Sequence, residues 1–441
     1  MDWMNTPSRT RRWMLGTGGT LAGAVGVGAC GQGAGGGQTA TGTQAKGQIT
    51  FLGREGGSEV AVYKEGIENF NASQSQVKVT HDLATGNFDQ KLQTLVAAGT
   101  APDANYMHSQ TVPTYVALGV AAPLDTHAKK DKTVLDGLLP AAVDSYRFKN
   151  QVYGIADVAT SYVMYINRGL FTKAGATLPA ERWTWNDYTT AAQRIVTSLR
   201  SEEVFGSANY VAADSWPSVL WQNGADILNK DRNAVTVDRP ESIEAISWIA
   251  DQLQKTRLHP MPADMQGKSA EQLFFDGKVA MVPPYSSRAG TIAKMAQFEV
   301  EAVHLPVGKQ RVTRTACGSV AMNKGTKLPD ASWEFLKYIA GEEFQWSMAR
   351  VGGIIFPGHK KVANSPDLFA AGQFPKNSKV VVDAIGYARI EPYTVRYLEI
   401  KAALTAELDK VWRGESNVRD AMTRAKAAMD PILADAVAQA K

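Results

Sequence analysis

The sequence predicts an α/β protein in which strands and helices alternate along most of a 441-residue chain. Three observations carry that expectation. Short β-rich runs are followed by apolar residues at steps of three and four, and the same alternation resumes after Tyr153. The length also suits two or three domains, at roughly 100–200 residues each. Hydrophobic residues make up 44% and charged residues 20%, which excludes a disordered chain, a collagen-like fibre and a polytopic membrane protein. Lys and Arg number 47 against 43 Asp and Glu, a net charge of +4 with no basic stripe. A nucleic-acid partner is therefore not expected.

The first thirty residues read as a targeting segment. Thr10-Arg11-Arg12-Trp13-Met14-Leu15 opens a Gly- and Ala-rich stretch that carries no charge up to Cys30. A charged start, a short apolar run and a small-residue exit describe a secretory signal, and the paired arginines resemble a bacterial twin-arginine signal. A membrane-spanning helix needs about 20 strongly apolar residues. Met14–Ala29 has only 16, six of them glycine. Val27-Gly28-Ala29-Cys30 resembles the lipobox, whose cysteine is lipidated and becomes the first residue of the mature protein. The other cysteine is Cys317, so lipidation of Cys30 leaves no intramolecular disulfide. Gly31–Gly47 holds seven glycines and little apolar bulk, too little to offset ordering entropy, and reads as a flexible tether. The expected layout is a signal peptide at 1–29, a lipidated cysteine and tether at 30–47, and a folded body from 48 onward.

Within the body, Gln48–Leu52 is a β-rich run ended by Gly53, and Val60, Tyr63, Ile67 and Phe70 mark a helix starting near Ser58. Val77–Thr80 alternates as a strand. Phe88, Leu92, Leu95 and Val96 form a second helical stripe, stopped by Gly99 and Pro102, and Asp103–Met107 reads as a strand. Ser161–Ile166 is a further strand, Trp185–Leu199 a helix capped by Asn186, Ile243–Leu253 a helix, and Val279–Val282 a buried strand. Two helices, Leu398–Trp412 and Val418–Ala440, close the chain. Such alternation implies a mainly parallel sheet covered by helices.

Motifs of catalysis are missing. The six histidines are scattered, with none at the short spacing of a zinc or iron site. No nucleophile elbow, P-loop or G-x-G-x-x-G follows a strand. Gly56-Gly57 and Gly352-Gly353 read as turns, and Cys317 as a small buried thiol. No cofactor or metal is expected, and the reading leans away from an enzyme. A glycosidase site is assembled from distant carboxylates, so a secreted hydrolase or lyase stays open as the alternative.

Four segments, in order, resemble the extracellular solute-binding proteins of bacterial sugar importers, the family of the maltodextrin binder. They are Ala101-Pro102-Asp103 with Tyr115–Asp125; Tyr153–Ala156 with Tyr165–Gly175 and Trp183–Tyr188; Phe274–Met281; and Gly318–Met322 with Ala331–Ile339. The resemblance implies two α/β lobes of mixed, mainly parallel sheet with flanking helices, joined by hinge segments around a ligand cleft. It implies crossings near Asp157–Ser161, Val300–His304 and Arg350–Gly353. The first lobe would be 48–158 plus 301–350 and the second 159–300 plus 351–441. Its other implications are a carbohydrate ligand, permease subunits of an importer as partner, a monomeric state, and membrane attachment through the N-terminal lipid alone.

A sugar site combines aromatic platforms with planar polar side chains, because sugars have apolar C–H faces and hydroxyl rims. Aromatics in loops at strand ends are therefore the candidates. Asp214, Trp216 and Trp221 lie in one such loop, Tyr285 in the Pro-Pro turn after Val279–Val282, and Tyr393, Arg396 and Tyr397 before the first C-terminal helix. By the family's pattern Arg54, Glu55, His108 and Gln110 follow first-lobe strands, and Thr160 and Gly318 would line the cleft. An ion pair unrelated to ligand is the competing role for Arg54 and Glu55. Trp248, Trp333, Trp346 and Trp412 sit on helical stripes and are assigned to the core. Polyamine, phosphate-ester and metal cargoes stay open; Tyr387, Tyr393 and Tyr397 would be the iron ligands.

Overall fold

A computed structural model describes residues 45–55, 59–208, 215–261, 263–351, 356–369 and 375–440. The targeting segment, Cys30, most of the tether, Asp214 and Gly352-Gly353 lie outside the described residues.

The chain opens β1 (Gly47–Arg54), α1 (Glu59–Ser73), β2 (Val77–Ala84), α2 (Phe88–Ala97) and β3 (Ala104–His108). Asn87 caps α2 by accepting from Gln90 N, which satisfies one of the orphan donors of a first helical turn. Short strands β4 (Ile155–Ala156), β5 (Thr160–Ser161) and β6 (Met164–Asn167) follow, then α3 (Trp185–Ser198), α4 (Trp216–Gln222) and α5 (Pro240–Gln254). The cap of α3 is Thr184, not Asn186: Thr184 and Asp187 form a reciprocal capping box. The chain continues through β7 (Met281–Val282), β8 (Val300–Val303), β9 (Thr313–Ala316), β10 (Gly318–Met322), α6 (Pro329–Ala340) and β11 (Ala388–Arg389). It ends in α7 (Tyr397–Trp412) and α8 (Val418–Gln439).

The first sheet has the order β2-β1-β3-β10-β4. β1 runs parallel to β2 and β3, while β10 runs antiparallel to β3 and β4. A second sheet, β8-β6-β7, is antiparallel throughout, and a third, β11-β9-β5, is mixed. The sheets are thus less parallel than strand–helix alternation suggests, because strands that return from the other half of the chain enter them in reverse.

Buried apolar side chains divide the same way. Phe51, Val79, Met107, Ile155, Val320 and Phe335 belong to a core on the first sheet. The second sheet is buried on both faces: Met164, Ile166 and Met281 point into one cluster with Leu220, Ile246 and Met422, whereas Val163, Tyr165 and Val282 point into another with Phe274. The period of two along a strand produces that split.

Three crossings connect the two halves. The chain leaves the first sheet after Ala156 and pairs in the third sheet at Thr160. It returns at Gly318, only two residues after β9. The expected return near Val300–His304 is therefore corrected: Val300–Val303 pairs with Met164–Asn167, so residues 301–316 build the second half. A third connection passes Phe356, whose carbonyl accepts from Ala159 N at 2.9 Å.

Candidate ligand-binding cleft

The ends of β1, β3 and β10, the crossing at Asp157–Thr160 and the loop after β7 converge on a cavity of about 360 Å³. Its lining includes Arg54, His108, Thr160, Tyr285 and Gly318, five residues expected from sequence that are now brought together from five separate segments. The volume lies within the usual range for small-molecule sites.

Tyr285 forms one wall. It is half-buried, and its ring centroid lies 4.1 Å from that of Tyr162 at a tilt of 38°. Behind the pair stands the Arg314 guanidinium, 5.7 Å from the Tyr285 ring and ion-paired with Glu391. Both charged residues are 1% exposed. Glu391 also accepts from the Tyr397 hydroxyl at 2.6 Å and from Lys401 at 3.2 Å. A buried charge survives only where such partners surround it. The loop is tied to the crossing as well, since Ser286 Oγ accepts from Ser161 N at 3.1 Å.

Asp157 forms the floor, and sequence reasoning missed it as a site residue. It is 1% exposed, and one carboxyl oxygen accepts from the Tyr63 hydroxyl. The other, Oδ1, has no hydrogen-bond partner among the described residues. Burial pushes the Asp157 carboxyl up to about 7, with the Tyr63 hydrogen bond working in the opposite direction. An unpartnered carboxyl oxygen at a cavity wall suits a ligand hydroxyl, accepting from it when the acid is ionised and donating to it when the acid is protonated. Its sequence signal was its place at the expected crossing.

Gly318 is required by close approach. It pairs with His108 across β3 and β10, and a Cβ there would lie 2.7 Å from Asp157 Oδ1. His108 is held neutral: burial, with Arg314 and Arg54 nearby, pushes its imidazole down to about 4. Its Nδ1 has no partner among the described residues. Thr160 donates to the Ala316 carbonyl, so its hydroxyl fastens β5 to β9 while its side chain lines the cavity. Arg54 pairs with Glu59 and lies 5.1 Å over the Tyr106 ring. It is thus both an ion-pair partner and a wall.

The remaining candidates lie elsewhere. Trp216 is 3% exposed and Trp221 fully buried, because α4 is buried at every position instead of forming a loop. Trp221 Nε1 donates to Asp226 at 2.9 Å, and Lys401 stands 6.0 Å from the Trp216 ring. Tyr397 is buried under the site as a Glu391 donor, and Arg396 pairs with Glu399 and Asp435 on the surface. Glu55 and Gln110 do not line the cavity. Tyr393 and Tyr397 pack edge to face, while Tyr387 hydrogen-bonds His304 Nδ1 at 2.6 Å. Among the described residues no group of three His, Cys, Asp or Glu side chains could hold a metal ion.

Residues 65–376 match the family model described as bacterial extracellular solute-binding protein. An ABC substrate-binding protein of Listeria monocytogenes, solved in complex with cycloalternan, superposes with a TM-score of 0.77 at 25% identity. The match covers 88% of this chain and 99% of that one. A cyclic α-maltosyl-1,6-maltose binding protein from Arthrobacter globiformis gives a TM-score of 0.76 at 21% identity, covering 88% and 100%, and so shares the fold. A binding protein of Brucella abortus is 23% identical over 358 residues, 78% of this chain and 82% of its own length.

Proposed function

Because the chain belongs to the bacterial extracellular solute-binding proteins, we propose that it captures a sugar or oligosaccharide in the inter-lobe cavity and delivers it to an ABC-type importer. It acts outside the cytoplasm, as that family does. The observation carrying the sugar reading is the pairing of a backed aromatic wall, Tyr285, with the unpartnered carboxyl oxygen of Asp157 across one cavity. One offers a face for C–H groups and the other a partner for a hydroxyl. The cycloalternan-bound relative supports the same ligand class.

The first lobe comprises residues 47–156 with 318–348, to which residues 358–360 are hydrogen-bonded, and the second comprises 160–316 with 375–440. The crossings act as hinges, a few segment-end residues absorbing the backbone change on closure. Cys30 carries the lipid anchor, the protein works as a monomer, and it binds without turning its ligand over. Permease subunits read the closed form.

The test is a thermal-shift and calorimetric screen of the folded body against mono- and oligosaccharides. A binder raises the melting temperature in proportion to RT ln(1 + [L]/Kd) and leaves the sugar intact. A flat screen refutes the sugar reading, and release of shorter sugars by the pure protein favours the hydrolase.

A further inference from the structure

Apart from the cleft, the second lobe carries a cavity of about 590 Å³ between the Leu228–Val235 turn, the start of α5 and the segment after β11. Its lining is strongly cationic. Lys230, Arg232, Arg239 and Arg389 face only two carboxylates, Asp226 and Glu241. Asp226 is already committed, pairing with Arg389 at 2.7 Å and accepting from Trp221 Nε1.

The other cations are under-compensated. Among the described residues the Arg232 side chain gives one hydrogen bond, to the Tyr393 carbonyl at 2.7 Å. Arg232, like Lys230 and Arg239, is exposed; partial desolvation still lowers its pKa, and Asp226 works in the opposite direction. A guanidinium has five donors, so most of this one's capacity is unused. Arg232 also adopts a left-handed backbone conformation, φ 56°, which holds it at the tip of a turn closed by Asn229 Oδ1 accepting from Asn233 N and Ala234 N. Lys230 and Arg239 make no ion pair or side-chain hydrogen bond among the described residues. Like charges held at one concavity without counterions repel, and an anion relieves that repulsion.

We propose that this cavity is a second binding site, for a small molecule bearing a carboxylate or phosphate group. Arg232 and Arg239 supply the forked donors that match either group, and the first turn of the 15-residue α5 adds the positive end of its dipole. The site does not depend on the sugar reading of the cleft.

Calorimetry on the purified chain at low salt, with inorganic phosphate, glucuronate and glucose as probes, tests it. Phosphate or glucuronate is expected to bind, glucose not to compete, and affinity to fall as salt rises. Arg232→Gln and Arg239→Gln should each weaken the anion at least fivefold. Lys64→Gln, which removes an equal charge from the exposed side of α1, should not. Preference for glucuronate identifies a sugar acid, and preference for phosphate identifies a phosphate ester. The proposal is overturned if neither anion binds or if the arginine variants match Lys64→Gln. Anion binding abolished by Tyr285→Ala instead would place the anion in the cleft and overturn it equally. Neutral-sugar binding, read in the same variants, stands or falls separately.

Discussion

Asp157 and Gly318 meet where two crossings pass each other: the vacant Oδ1 of the carboxylate lies 2.7 Å from the point a Cβ on Gly318 would occupy. That clearance joins a covalent choice in β10 to the shape of the cavity. Gly318→Ala should therefore push into the acid that floors the site. We expect ligand affinity to fall at least tenfold, with a stability loss of about 1–3 kcal/mol, the usual range for overpacking. Unchanged calorimetric affinity for the cognate sugar would remove Asp157 from the binding surface.

Tyr285 and Trp216 should separate cleanly. Loss of a binding hot spot typically costs about 2 kcal/mol or more, which is roughly 30-fold in Kd. Tyr285→Ala should thus weaken sugar at least tenfold while the ligand-free melting temperature moves little. Trp216→Ala, at a core position, should instead cost about 3–5 kcal/mol of stability. Measuring both quantities on both variants decides; a reversed pattern would exchange the roles of the two rings.

The pH response of Asp157 has a definite sign. Its folded pKa is raised from 3.8 to about 7, so the native state holds a proton that the unfolded chain releases. Its contribution is full below about pH 4 and is lost as pH rises towards 7. His108 and His304, both lowered to about 4, act oppositely between pH 4 and 6.5. The wild-type curve alone would blur these terms. The difference between wild type and Asp157→Asn isolates the acid: relative to the variant, wild type should lose stability steadily from pH 4 to 7. A flat difference would show that Asp157 titrates normally.

Arg314 and Glu391 form the buried pair behind the platform. Breaking a buried pair by removing one partner typically costs about 3–5 kcal/mol, and Lys401, 3.2 Å from Glu391, offsets part of that when Arg314 is the one removed. Arg314→Met should approach that loss, and adding Glu391→Gln should recover much of it. Chemical denaturation of the two singles and the double gives the coupling directly. Additive losses would mean that the pair is not energetically linked.

Anchoring is read by fractionation. Cys30→Ala should move the protein from the membrane fraction to the soluble extracytoplasmic one. Equal membrane retention would refute the lipobox.

The first lobe was legible because its elements are local. Val60, Tyr63, Ile67 and Phe70 announce α1, and the stripe of Phe88, Leu92, Leu95 and Val96 announces α2. Arg54, His108 and Gly318 were placed at one cavity by the family resemblance and not by any local signal, and they line it together. Trp216 and Trp221 misled because Ser215-Trp216-Pro217 has the composition of a loop, and nothing local reveals that α4 is covered on every side. Asp157 was hidden for another reason. Its partner, Tyr63, is 94 residues away and its neighbour Gly318 farther still. Likewise, Val300–Val303 joins the second sheet through pairing with a strand more than a hundred positions earlier, a choice that no periodicity records.

The late entry of β10 has a consequence for synthesis. That strand lies between β3 and β4 in the first sheet, so Gly318–Met322 must leave the ribosome before neighbours made long before it can be joined. The second lobe waits longer, since its largest core includes Leu404, Met422 and Leu433 near the end of the chain. Non-local pairing of this kind slows folding and prolongs exposure of unpaired strand edges. The first sheet therefore cannot close before Gly318–Met322 has emerged, nor the second lobe's core before Met422 and Leu433 have.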